Sequence, residues 1–326
     1  MAEGTEPISA KELVSSLNEH SDGTNIVKES INILSSNPDG LNKKGDLMSD
    51  TTENALIVLK ELIELNKTEA KKEKMKKRWD FRTSPHEQFG KEIDDTFMAF
   101  LLWSRVSTDE DDTGSSEKAI NVSKAFRRLE SYADWMDQTG DDLTTPQLTP
   151  ASVQSNLEAW AMRVSTDNQG RLVWWVDFDA FDLKKIKEEM QPEDSLRAFV
   201  WYAHYIMYNK NAQENGLVFV ENLAYMGMVK CFTIVPLKLS AKVDRLTIGV
   251  LPIKMNAYYI LEVPTWVNVF MKLIGVFVSK QIMERLVYLK EWDKLEDLLG
   301  KDCIPTGFGK LAGSLKVDPV VEKYFT

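Results

Sequence analysis

The stretch from Leu251 to Leu289, LPIKMNAYYILEVPTWVNVFMKLIGVFVSKQIMERLVYL, limits what this chain can become. It reads as a strand, breaks at Pro264, and resumes as a helix that is apolar on nearly all sides from Trp266 to Val278. Only Asn268, Lys272 and Gly275 interrupt that surface. A surface helix of a soluble protein carries one apolar stripe and one polar face. A helix that is apolar all round is buried, spans a bilayer, or covers something greasy and meets a membrane. A span is disfavoured, because Glu262 and Lys272 would both be costly at depth.

The chain has 326 residues and a net charge of −10. That length allows a sizeable core and one or two domains. The acidic balance argues against nucleic acid as the main partner, since phosphate binding calls for a basic stripe. Cys231 and Cys303 lack metal-type spacing and read as reduced core thiols of an intracellular protein. The opening MAEGTEPISA has no basic start and no apolar segment, so no signal peptide is expected and the chain is assigned to the cytoplasm.

The pattern divides the chain into a polar extension (1–50), a helical region (51–140), a main domain (151–315) and a short tail (316–326). From Thr52 apolar residues recur at helical spacing, with Asp50 or Thr51 as the cap. This helix runs into KTEAKKEKMKKRWD, ending near Arg78. The run reads either as a solvated helix end or as a surface for anionic lipid. A helix from Ile93, capped by Asp94 or Asp95, precedes an acidic loop (Thr108 to Glu117) and a helix from Ala119 to about Trp135.

The second half alternates strands and helices. Strands are expected at Gly170–Asp177, Leu217–Glu221 and Asn256–Glu262. Helices are expected from Pro192, from about Val229 to Arg245 (with Pro236 as the alternative start), from Thr265 to Val278, and from Ser279. That order predicts βαβ units and a mainly parallel sheet.

Enzyme chemistry finds little support. His20, His86 and His204 are isolated, and no phosphate-cradling glycine loop or nucleophile elbow is present. Asp177 and Asp179 share strand parity and read either as a catalytic pair or, being near a turn, as solvated carboxylates. His204 reads as a hydrogen-bonded, semi-buried residue. The expectation is a non-enzymatic container with no metal and no cofactor. An alternative is an interaction module of the same fold that binds a protein partner such as a small GTPase.

Several segments occur in an order that resembles the CRAL-TRIO lipid-binding domain family. Phe97–Arg105 (FMAFLLWSR) resembles the segment RFLRAR, Gly170–Val173 (GRLV) resembles GRPV, and Val218–Glu221 (VFVE) resembles a strand ending in Asp. Leu251–Pro264 resembles the proline-containing turn, strand and hinge, Gly275–Arg285 the segment after the lid, and Ile304–Gly309 (IPTGFG) the closing LPxEYGG. Trp103, Phe100, Glu262, Gly307 and Lys310 depart from the pattern.

The resemblance implies an α/β fold: a curved, mainly parallel sheet flanked by helices with a lid helix, preceded by a small all-helical region. It implies a hydrophobic lipid held in an internal pocket and exchanged at a membrane, with the protein cytoplasmic and peripherally associated. Pocket walls are expected from Leu196, Phe199, Val200, Ala203, Val220, Val243, Leu246, Tyr258, Ile260, Val267, Phe270 and Ile274. The phosphoinositide cleft of some members matches Arg105, Lys254 and Arg285, although Gln281 stands where a further lysine is usual. Ile253 occupies the place of the glutamate used by phosphatidylinositol-transfer members.

Overall fold

A computed structural model describes residues 46–69, 78–81, 84–107, 118–140, 148–234, 242–243, 245–267, 280–311 and 313–315. The polar extension as far as residue 45, the acidic loop at 108–117 and the tail lie outside the described residues. The chain forms two compact units. The first takes the described residues of 1–82 and 91–138, the second those of 83–90 and 139–326.

In the first unit, β1 (Met48–Ser49), α1 (Thr52–Glu69), α2 (Ile93–Trp103), β2 (Arg105–Ser107), β3 (Lys118–Asn121) and α3 (Val122–Trp135) follow in order. Thr51 accepts the Asn54 backbone N–H at 3.3 Å. The N-cap of α2 is Glu92, one residue before the helix, not Asp94 or Asp95; Asp95 lies in the first turn and accepts the Glu92 backbone N–H at 2.9 Å. The α1 residues Ala55, Val58, Leu59, Leu62 and Ile63 are buried, the one-face pattern of an amphipathic helix. Trp79 stacks on Phe126 at 5.7 Å, and Tyr132 packs against Phe81 and Phe100.

Two details differ from expectation. A small antiparallel sheet, ordered β1-β3-β2, accompanies the helices. Ala119 and Ile120 pair with Val106 and Arg105 as strand, and the helix begins only at Val122. Asn121 sets that start, because its side chain accepts the Lys124 N–H at 2.7 Å. Arg78 is neither solvated nor available to lipid. It is buried, with Glu130 at 2.6 Å, Asp134 at 2.5 Å and Asn66 at 3.0 Å on its guanidinium. A planar fork satisfied by two carboxylates is a stable way to bury a cation.

The second unit runs α4 (Pro150–Ala159), β4 (Arg163–Thr166), β5 (Leu172–Asp177), α5 (Leu183–Glu188), α6 (Pro192–Tyr208), α7 (Lys210–Asn215), β6 (Leu217–Asn222), α8 (Met228–Ile234), β7 (Met255–Leu261), α9 (Lys280–Arg285), β8 (Leu286–Leu289) and α10 (Asp293–Leu299). The sheet order is β4-β5-β6-β7-β8. β4 is antiparallel to β5, and the other pairings are parallel, giving the mainly parallel α/β sheet expected from sequence. Pro192 opens α6 at its first position, where its missing N–H has no cost. β4 and β8 are short edge strands that periodicity did not reveal.

One face of this sheet is a closed core. Val173, Trp175, Val218, Val220, Tyr259, Leu261 and Leu289 pack there against Leu295, Leu299, Cys303, Ile304 and Phe308. The closing IPTGFG segment thus lies across the sheet. Gly309 has φ +51°, and a Cβ there would come within 2.0 Å of the Trp292 ring. Only glycine fits that close approach at a left-handed backbone position.

Candidate functional site

The opposite face carries aromatic rings at one register. Trp174, Phe219 and Tyr258 are paired neighbours on β5, β6 and β7, and Leu286 follows on β8. Phe219 meets Trp174 edge-on at 5.1 Å and Tyr258 edge-on at 4.9 Å. Such pairs contribute about 0.5–1.5 kcal/mol each beyond area burial. One register further along, Val176, Glu221, Ile260 and Tyr288 align. Tyr258 donates its phenolic hydrogen to the Glu221 carboxylate.

Helix α6 covers only one end of this face. Phe199 and Tyr202 pack on Trp174 at 6.5 and 5.4 Å, and Trp160 joins them against Phe199. Trp160 also donates its indole N–H to Ser195 at 3.1 Å, pinning α4 to α6. Trp174 is 4% exposed, whereas Phe219, Glu221, Tyr258 and Leu286 are only half-buried and Tyr288 is 39% exposed. The sheet surface is therefore sealed at β5 and half-open from β6 to β8. Partial burial pushes the Tyr288 phenol up, keeping it uncharged at neutral pH.

The expected wall residues separate into groups. Phe199, Tyr258 and Ile260 lie on or against the half-open face. Leu196, Val200 and Ala203 are buried, the last two with no exposed surface, and pack as core residues of α6. Leu246 and Val267 are also buried, and Val243 is half-buried. Phe270 and Ile274 lie outside the described residues, as does the expected lid beyond Val267. What is described of it is helical at 265–267, directly after Pro264.

Val220 is on the wrong face. Leu217 pairs with Met255, but Val218 pairs with Ala257, so Asn256 is skipped in the register. That bulge shifts parity by one residue. Val220 therefore sits beside Tyr259 in the closed core, not beside Tyr258.

Asp177 is not a solvated carboxylate. It is buried at the end of β5 and accepts from Asn222 Nδ2 at 2.8 Å, the Asp179 N–H at 3.1 Å and the Gly309 N–H at 3.0 Å. Asp179 lies past the strand in the following turn and is exposed. The two do not form a reactive pair: Asp177 is the tie that binds β5, β6 and the closing segment. His204 is fully buried and donates Nδ1–H to the Val200 carbonyl at 2.8 Å. Burial drives its pKa down to about 4, against the opposing pull of that bond, so the ring is neutral at pH 7.

Of the expected anion-binding cations, Lys254 and Arg285 precede β7 and β8 at the same end of the sheet. Arg105 belongs to the first unit, in β2. Among the described residues no group of His, Cys, Asp and Glu could hold a metal ion, and no helix is long and apolar enough to cross a membrane.

Sequence reasoning missed the Glu221–Tyr258 pair and the aligned rings. The strands β5, β6 and β7 were legible, but the ladder exists only once registers are known. Among solved structures, one similar chain is "Crystal structure of Sfh5", at 15% identity, covering 62% of this chain and 71% of that chain with a TM-score of 0.40. Residues 161–309 match the family model described as the CRAL/TRIO domain. The matched stretch spans all five strands of the larger sheet, and over it the chain is similar to the CRAL/TRIO domain, the mark of a family of lipid-binding and lipid-transfer proteins.

Proposed function

We propose that the chain binds a lipid on the half-open face from Phe219 to Tyr288 and exchanges it with membranes. The observation that carries this reading is the asymmetry of the sheet. One face is closed by the C-terminal segments, and the other leaves aromatic and aliphatic surface half-covered at β6–β8. Burying about 400 Å² of lipid surface there is worth about 10 kcal/mol before the costs of association. The helix that starts at Thr265 acts as the lid; Val267 opens it, and Phe270 and Ile274 follow at helical spacing in the sequence. Lys254 and Arg285 receive an anionic phosphoinositide headgroup during exchange. The protein works in the cytoplasm and at membrane surfaces, without covalent chemistry.

The test is transfer of a fluorescent apolar lipid from donor to acceptor liposomes by delipidated protein. Transfer that saturates with protein and accelerates on phosphoinositide-containing acceptors is expected. Absence of uptake would refute the lipid reading. Unchanged acceleration in a Lys254→Ala, Arg285→Ala double variant would refute the headgroup site alone.

A further inference from the structure

The two edges of the larger sheet differ. At β4, Val164 is fully buried and Ser165 nearly so. Asn211 donates to the Thr166 hydroxyl at 2.9 Å, and Arg163 donates to the Thr306 carbonyl at 3.0 Å. That edge is covered by its own chain. At β8 the strand reads Leu286-Val287-Tyr288-Leu289, with no charge and no proline inside it. It pairs with β7 on one side, and among the described residues no backbone hydrogen bond reaches its outer side. Val287 is 40% and Tyr288 39% exposed, on opposite faces of the sheet, and Met283 adds exposed apolar surface just before them. An apolar edge with unpaired N–H and C=O groups is a template for another strand.

The charges at its ends say which strand fits. Arg285 precedes β8 and makes no ion pair among the described residues. Lys290 and Glu291 follow it, Glu291 meeting Lys294 at 3.0 Å on the surface. Two copies of one strand pair antiparallel about a two-fold axis only when some residue faces its own copy, because hydrogen-bonded and non-hydrogen-bonded pairs alternate along the ladder. The register that would set Arg285 against Lys290 and Glu284 against Glu291 is therefore excluded. With Val287 on the axis, Leu289 would face Arg285, the last helical residue of α9. With Tyr288 on the axis, Leu289 faces Val287, and Arg285 of each copy faces Glu291 of the other, so opposite charges meet at both ends of the pairing.

We propose that β8 is a self-association surface, pairing antiparallel with β8 of a second copy about Tyr288 and joining the two larger sheets into one. The two-fold axis keeps both half-open faces on the same side of that sheet. No arm of the test contains lipid, so its outcome is independent of the lipid and headgroup assignments. The full chain is sedimented over concentrations spanning the expected dissociation constant, about 10–100 μM for a short edge pairing. A monomer–dimer equilibrium is expected. Arg285→Glu and Glu291→Arg each set like charges together and should weaken it by about tenfold or more. The two substitutions combined should return it to within about threefold of the parent. Tyr288→Cys puts a thiol on the axis at the Cα separation a disulfide spans, about 4.5–5.5 Å. Mild oxidation should link that variant into a dimer and leave the parent, with Cys231 and Cys303, unlinked. A parent that stays monomeric, a dimer that neither single reversal weakens, a double reversal that restores nothing, or no cross-link in Tyr288→Cys would overturn the assignment.

Discussion

Tyr258 donates its phenolic hydrogen to Glu221 diagonally across the β6–β7 boundary, on the half-covered face of the sheet. This places a hydrogen-bonded carboxylate within an otherwise aromatic and aliphatic floor. Tyr258→Phe keeps the ring against Phe219 and removes only the donor. It is expected to cost about 1 kcal/mol by denaturant unfolding, partial solvation limiting the loss. Glu221→Gln retains an acceptor and should cost less. Equal stability of Tyr258→Phe and the parent would show that the bond contributes nothing.

Asp177 joins three segments through one carboxylate. Asp177→Ala leaves Asn222 Nδ2 and the N–H groups of Asp179 and Gly309 without their acceptor. A loss of about 3 kcal/mol in unfolding free energy is expected. A fully stable variant would contradict the structural assignment of this residue.

Arg78 makes a comparable tie in the first unit. Arg78→Met leaves Glu130 and Asp134 facing each other without the cation and is expected to cost about 3 kcal/mol. Arg78→Lys should recover less than half, since a point charge cannot engage both carboxylates and Asn66 as a fork does. Full recovery by lysine in thermal unfolding would refute the geometric argument.

His204 gives the fold a pH dependence. Its folded pKa, about 4, lies below the ordinary histidine value, so between those values the unfolded chain binds the extra proton. Stability from this group is fully present above pH 6.5 and is lost as pH falls towards 4, by up to about 3 kcal/mol. A His204→Gln variant should show a flatter stability profile over that window, whatever its absolute stability. Parallel profiles for the two proteins would contradict the neutral, buried assignment.

What the sequence disclosed and what it hid divide along physical lines. Pro192 and Pro264 act through their own backbone chemistry and Thr51 through its side-chain hydroxyl, and each marks a helix start that the structure contains. The three long strands follow from local apolar patterning. Register does not, because it depends on pairing between distant segments. Had Asn256 not been skipped opposite Leu217–Val218, Val220 would share a face with Tyr258; one bulged residue puts it in the closed core. The buried state of Arg78 was hidden for the same reason. Its neighbours in sequence are lysines, while its partners Glu130 and Asp134 lie more than fifty positions away.

The central claim, that lipid lies on the β6–β8 surface, is tested most directly at Phe219. Delipidated parent and Phe219→Asp proteins are incubated with lipid-loaded vesicles, re-isolated and weighed intact by native mass spectrometry, with near-ultraviolet circular dichroism confirming that both are folded. The account predicts a lipid-bound mass for the parent and its loss from the folded variant. Lipid bound equally by both, or by neither, would contradict it.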